Sequence, residues 1–68
     1  MNPNLLKGEL RKRGMTQREL CCELPLSLSR FNAKLNGARG AEFTLSEIKG
    51  IMGALGLTKE EAADIFLS

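Results

Sequence analysis

The sequence contains no tryptophan, tyrosine or histidine, and three phenylalanines are its only aromatic residues. So few aromatic side chains argue against a stacking platform for single-stranded nucleic acid. The lack of histidine excludes Ser-His and Cys-His catalytic pairs. With two cysteines and no histidine, a structural zinc site lacks ligands. The sequence therefore predicts a protein that is not an enzyme and that binds no cofactor, metal or small-molecule substrate.

The two cysteines, Cys21 and Cys22, are adjacent. Neighbouring residues on a helix point about 100° apart, so these thiols cannot bridge without breaking the helix. We interpret Cys21 as a small core residue and Cys22 as partly exposed. The sequence also has no apolar run of 18 residues and no signal-peptide pattern, so no segment indicates a membrane or secreted protein. The simplest interpretation is a reduced chain in the cytoplasm.

Charge is divided unevenly along the chain. Residues 1–39 contain eight Lys or Arg and three Glu, a net charge of +5, whereas residues 40–68 contain two Lys and five Asp or Glu, a net charge of −3. The basic part favours a polyanionic partner. A solvated surface of mixed charge accounts for the same counts, so charge alone does not decide between them.

Start and stop signals divide the chain into short helices. Asn2 is a good cap and Pro3 a good first helical residue. Three Thr-x-x-Glu capping boxes begin at Thr16, Thr44 and Thr58, and Gly14, Gly37 and Gly56 are placed as stops. The predicted helices span residues 3–13, 17–24, 28–36, 45–55 and 59–67, and residues 37–43 are a predicted loop. No segment alternates as a strand does, so we predict one all-α domain over residues 1–68.

Residues 16–37, TQRELCCELPLSLSRFNAKLNG, predict two short helices joined by a tight turn, with Ser27 capping the second helix. Apolar side chains are spaced to clamp the helices at a steep angle, which leaves the second helix free to enter a groove about 12 Å wide. These clamp residues are Leu20, Cys21, Leu24, Leu26 and Phe31. The pattern predicts a helix-turn-helix.

The same stretch resembles the phage repressor and Cro type of helix-turn-helix family. The shared features are the opening Thr16-Gln17 pair, the small Cys21 where the helices cross, Leu24, the Ser27 cap and the closing Asn36-Gly37. Residues 43–58 also resemble parts of the fourth and fifth helices of that family. The resemblance implies a compact, lambda repressor-like bundle of five helices. It implies a transcriptional regulator that binds specific double-stranded DNA as a homodimer on half-sites one helical turn apart. Such a protein works in the cytoplasm of a bacterial host, on the nucleoid when bound.

The resemblance also assigns contacts to DNA, with the recognition helix 28–36 in the major groove. The residues placed against base edges are Leu28, Ser29, Asn32 and Ala33. The residues placed against phosphates are Gln17, Arg18, Ser27, Arg30, Lys34, Asn36 and Arg39. Among the base-facing residues Ser29 and Asn32 can form hydrogen bonds, asparagine being suited to adenine, whereas Leu28 and Ala33 offer apolar contact, for example with a thymine methyl group.

Pro25 departs from the family pattern, which usually has glycine at this point of the turn. Glycine serves where φ is positive, and proline holds φ near −65°. We therefore expect a different turn, with helix 2 ending earlier than its periodicity indicates. The docking angle of the recognition helix depends on that turn.

Other interpretations compete with this prediction. A protein-interaction module, antitoxin-like or a phage adaptor, would keep the fold without recognising an operator. A nonspecific or RNA-binding protein is favoured only by the basic part, and the GxxG of Gly37–Gly40 lacks the sheet that a KH domain needs. The run Arg11–Arg13 is interpreted as a solvated helix end. The stretch Ile65–Leu67 is the predicted dimer surface, unless Ile65 and Phe66 complete the core instead.

Overall fold

Five α-helices form within residues 1–67, which are the residues described by the computed structural model. They are α1 (Pro3–Lys12), α2 (Gln17–Cys21), α3 (Leu28–Leu35), α4 (Leu45–Leu55) and α5 (Lys59–Phe66), and a short 3₁₀ turn spans Ala38–Gly40. No strand occurs within these residues. The radius of gyration is 10.8 Å, against about 11 Å expected for a compact chain of this length. The predicted compact, all-α fold class is confirmed.

Each helix begins at a side chain that accepts a backbone N–H. The Asn2 side chain accepts from the N–H of Leu5 at 3.3 Å, and the Ser27 hydroxyl accepts from the N–H of Arg30 at 3.2 Å. The other three starts are the predicted capping boxes, Thr16–Glu19, Thr44–Glu47 and Thr58–Glu61, and both reciprocal hydrogen bonds are present in each. Because the first N–H groups of a helix have no partner within it, these caps fix the start of each helix locally.

Helix α2 is shorter than its predicted span, since it ends at Cys21 and not at residue 24. The N–H groups of Glu23 and Leu24 bond to carbonyls three residues back, those of Leu20 and Cys21, at 3.0 and 3.1 Å. This tighter winding leads the chain to Pro25, which disfavours helical angles in the residue before it. Helix α2 therefore ends early, as expected from the effect of Pro25. A turn of residues 22–26 connects α2 to α3.

The remaining helix ends lie within one residue of the predicted ones. Gly14, Gly37 and Gly56, the predicted stops, all have positive φ, from 62° to 65°. The predicted loop after α3 contains the 3₁₀ turn at its start. End positions were therefore well predicted wherever a glycine marked them.

The core takes one fully buried side chain from each helix. These residues are Leu6, Leu20, Phe31, Ile51 and Ile65. Helix α4 passes so close to the turn after α2 that a Cβ atom on Gly50 would lie 2.7 Å from a methyl carbon of Leu24. The five helices thus share one core, and α4 packs directly against the turn between α2 and α3.

Two expectations, one for a charged segment and one for an apolar segment, hold only in part. Arg11 and Lys12 are exposed, as expected for a solvated end of α1, whereas the guanidinium of Arg13 donates hydrogen bonds to the carbonyls of Glu9 and Leu55. Ile65 is 2% exposed, and Phe66 is partly buried, its ring 5.8 Å from that of Phe43. These two residues complete the core, since α5 has to bury its apolar face to close the bundle. Of the predicted dimer surface, only Leu67 is well exposed.

Candidate nucleic-acid interface

The α2–turn–α3 unit is held by apolar side chains that pack together across the turn. Leu20 and Phe31 are fully buried, and Cys21, Leu24 and Leu26 are each less than a tenth exposed. The predicted clamp is therefore confirmed. Because a packed core resists deformation, these contacts fix the orientation of the outer face of α3 relative to α2.

The outer face of α3 carries two of the four predicted base-facing residues, and a third lies at its edge. Ser29, Ala33 and Asn36 are spaced by four and three residues, so they share one side of the helix. Ser29 and Asn36 are exposed and Ala33 is half-buried. Asn32, also half-buried, lies at the edge of this face, and Leu28 packs partly against the core.

The two polar side chains among the residues predicted to face bases have free hydrogen-bonding groups. In the described part of the chain, no hydrogen bond involves the side chain of Ser29 or Asn32. A serine hydroxyl donates and accepts, and an asparagine amide donates through nitrogen and accepts through oxygen. Both residues therefore have the groups that base edges require.

Most residues predicted to contact phosphate are accessible. Arg18, Arg30 and Arg39 are exposed, and none of them forms an ion pair within residues 1–67. Gln17, at the first position of α2, is half-buried. The exposed Ser27 uses its hydroxyl oxygen to cap α3, and its O–H proton stays available for donation.

Arg39 has an unfavourable backbone conformation. Its φ of 54° lies in the left-handed region, between Gly37 at 65° and Gly40 at 75°. For a residue other than glycine this conformation costs roughly 1–2 kcal/mol. The turn holds this exposed arginine just beyond the end of α3, and strained backbone of this kind clusters at functional sites in proteins.

Lys34 differs from the other predicted phosphate contacts because its charge is already paired. Its Nζ atom lies 2.7 and 2.8 Å from the two carboxylate oxygens of Glu47, and the two side chains are 19% and 12% exposed. Burial disfavours the charged form of Glu47, but Lys34 and the N–H of Thr44 outweigh it and hold the pKa of Glu47 below its usual 4.5. The pair joins α3 to the start of α4.

Sequence reasoning missed this ion pair and the contacts of Arg13. The spacing of Glu9 and Arg13, four residues apart on one helix, was a signal that could have revealed their contact. Lys34 and Glu47 lie on different helices, 13 residues apart, so no helical period relates them. Their contact depends on how α4 packs beside α3.

Among residues 1–67, no three His, Cys, Asp or Glu side chains are grouped so as to hold a metal ion. None of the described helices has the length and apolar character that crossing a membrane requires. Comparisons with protein-family models, with curated proteins and with solved structures find no match for this chain. The evidence for function therefore lies in the outer face of α3, the arginines beside it and the packed clamp behind it.

Proposed function

We propose that this protein is a sequence-specific regulator of transcription, of the phage or prophage repressor type, that inserts α3 into the major groove of double-stranded DNA. The observation that carries the proposal is the outer face of α3, where Ser29 and Asn32 offer free polar groups above a packed core. The eight residues of α3 are about 12 Å long at 1.5 Å per residue. An α-helix with its side chains is about 10–12 Å in diameter, and the major groove is about 12 Å wide, so α3 can enter the groove.

The roles of the base-facing residues follow from their chemistry. The amide of Asn32 can donate to and accept from one adenine, and the hydroxyl of Ser29 can bond to any base edge within reach. Leu28 and Ala33 can contact a thymine methyl group. A good bidentate pair discriminates against a wrong base by about 1–3 kcal/mol, so Asn32 is expected to contribute most to specificity.

The exposed arginines supply the part of the affinity that does not depend on sequence. Arg18, Arg30 and Arg39 lie before, on and beyond α3, where a phosphate backbone flanking the groove would pass. Gln17 and Asn36 add uncharged donors near the two ends of this region. Each neutralised phosphate releases counterions, so binding should weaken steeply with salt.

The resemblance to phage repressors leads us to propose that the protein binds DNA as a homodimer. Two copies bind a palindromic operator, with one α3 per half-site and half-sites about one helical turn apart. The protein then acts in the cytoplasm of a bacterial host, on the nucleoid when bound to its operator.

Selection from random double-stranded DNA at two salt concentrations tests the proposal directly. Enrichment of a palindromic motif supports it. Binding that depends steeply on salt but enriches no motif indicates a nonspecific nucleic-acid binder. The absence of any DNA binding rules out operator recognition and favours the alternative, a protein-interaction module with a helix-turn-helix fold.

Matched variants separate the two kinds of contact. Asn32→Ala should relax specificity at one base position, at a cost of about 1–3 kcal/mol, without changing the salt dependence. Arg30→Ala should weaken binding to all sequences alike and reduce the salt slope by about one. Lys59→Ala removes an exposed cation at the start of α5, outside the proposed interface, and should leave both quantities unchanged.

A further inference from the structure

The contact between Lys34 and Glu47 lies at the edge of the proposed DNA interface. Lys34 is one helical turn beyond Arg30 on α3, so the two side chains leave the same flank of the helix. Arg30 is exposed without an ion pair in the described residues, whereas both carboxylate oxygens of Glu47 accept hydrogen bonds from the Lys34 ammonium. Of these two cations on one flank of α3, Arg30 is free to contact a phosphate and Lys34 is not.

Glu47 has a second contact that fixes its position. It is the third residue of α4, and its Oε1 atom accepts the N–H of Thr44 at 2.9 Å in the capping box. The carboxylate is therefore held by the backbone on one side while it binds the lysine on the other. Because this hydrogen bond already orders the carboxylate, the carboxylate loses little further freedom when it pairs with the ammonium of Lys34.

We propose that Glu47 competes with the DNA backbone for Lys34 and so limits the affinity of this protein for duplexes of any sequence. The proposal rests on the function proposed above. Phosphate contacts raise the affinity for all sequences, whereas base contacts separate the operator from other sites. Holding one cation back lowers the first contribution and leaves the second, so Glu47 sets the overall affinity for DNA by acting on Lys34 and does not change the preference for the operator.

The competition favours the internal pair for a physical reason. A phosphate that captured Lys34 would leave the Glu47 carboxylate, 12% exposed, without its cation and close to the negatively charged DNA. Leaving a partly buried charge unpaired is costly. Neutralising Glu47 removes that cost, and the four-carbon stem of Lys34 then lets the ammonium move out to a phosphate.

Glu47→Gln is the decisive variant because glutamine keeps the capping box. Its matched control is Glu61→Gln, at the same position of the α5 capping box, where the carboxylate accepts the N–H of Thr58 at 2.9 Å and has no ion pair within the described residues. Binding to a random-sequence duplex is measured over a series of salt concentrations, and the thermal unfolding midpoint of each variant verifies its fold.

We expect Glu47→Gln to bind random duplex roughly three- to tenfold more tightly at low salt, with the slope of log K against log salt steeper by about 0.9. Glu61→Gln should match the unmodified protein. Lys34→Gln alone should leave the slope unchanged, since this lysine is not in contact with phosphate. The double variant Lys34→Gln/Glu47→Gln should lose the steeper slope, which separates release of the lysine from the general effect of removing a negative charge.

Two results would overturn the inference while leaving the proposed function intact: DNA binding by Glu47→Gln with an unchanged slope, or a flatter slope in Lys34→Gln alone. A flatter slope in Lys34→Gln would overturn the inference even if Glu47→Gln does not fold. Absence of DNA binding in the unmodified protein at low salt would overturn the proposed function and this inference with it.

Discussion

The guanidinium of Arg13 donates a hydrogen bond from Nε to the backbone carbonyl of Leu55, 2.6 Å away and 42 residues along the chain. Arg13 follows the last residue of α1, and Leu55 is the last residue of α4. The carbonyls at a helix end lack partners within the helix and carry partial negative charge. One arginine therefore serves the carboxyl-terminal ends of two helices, and also contacts the carboxylate of Glu9.

Replacing Arg13 should destabilise the fold noticeably. Its side chain is 28% exposed, and hydrogen bonds to a charged group are worth about 1.5–3 kcal/mol each. We expect Arg13→Ala to lower the free energy of unfolding by about 2 kcal/mol in urea denaturation. Arg13→Lys should recover only a small part, since an ammonium lacks the planar fork. Arg11→Ala, two residues away and exposed, is the control, and an equal loss there would contradict the assigned role.

Two helical glycines of α4 should respond differently to alanine. Gly53 is exposed with no atom within 4 Å of a Cβ built on it. Gly53→Ala should therefore raise stability by about 0.5–1 kcal/mol, because alanine favours the helix. At Gly50 the added methyl group meets Leu24 at 2.7 Å, and overpacking typically costs about 1–3 kcal/mol. Gly50→Ala should thus be less stable than Gly53→Ala in thermal unfolding, and equal stability would mean that α4 and the turn pack more loosely.

Acid should destabilise the protein through its paired carboxylates. Hydrogen bonds from Arg13 and Lys12 lower the pKa of Glu9 from 4.5, and Lys34 lowers that of Glu47 against the effect of burial. A carboxyl group with a lower pKa in the folded state stabilises the fold above the unfolded value of 4.5. That contribution to stability is lost as the pH falls through the pKa values of these carboxyl groups in the folded state. No histidine is present, so stability should change little between about pH 5.5 and 7.

Thermal unfolding midpoints from neutral pH down to about pH 2.5 measure this acid dependence. The double variant Glu9→Gln/Glu47→Gln should show a smaller drop below pH 4.5 than the unmodified protein, since the two groups no longer titrate. Glu60→Gln, an exposed residue of α5, should keep the full drop. A steep loss of stability in the neutral range would contradict the prediction.

The adjacent cysteines should react at very different rates. Cys22 is exposed, whereas Cys21 is 9% exposed, and burial and then the neighbouring Cys22 raise the pKa of its thiol. Because the thiolate is the reactive form, a thiol reagent should label one cysteine rapidly in the folded protein. Cys22→Ser should abolish the rapid reaction and Cys21→Ala should retain it. Two rapid equivalents without denaturant would show that α2 opens readily.

The parts of the fold that the sequence predicted are those with local causes. A Thr-x-x-Glu box forms within four residues, so all three helix starts of this type were correct. The end of α2 was not predicted correctly, because two local effects oppose each other there. The apolar spacing of Leu20 and Leu24 continues the helical pattern, whereas Pro25 disfavours helical angles in the residue before it. The structure follows the proline.

The sequence predicted the apolar core behind the candidate interface, but it did not predict which of the charged side chains there are paired. The clamp around Phe31 follows from apolar spacing, which the sequence displays directly. Whether a cation is free depends on which acidic residue packs beside it, and Lys34 meets Glu47 only after α4 has docked. The same holds for Arg13, whose partner Leu55 is a backbone carbonyl that no sequence pattern marks.

The repeated capping boxes have a consequence for the speed of folding. Three helices carry start signals that need no distant partner, so they can begin to form within about a microsecond, and helical proteins rich in local contacts fold in microseconds to milliseconds. The bond from Arg13 to Leu55 joins distant segments and should form after the transition state. In stopped-flow kinetics we therefore expect Arg13→Ala to accelerate unfolding and to leave the refolding rate nearly unchanged.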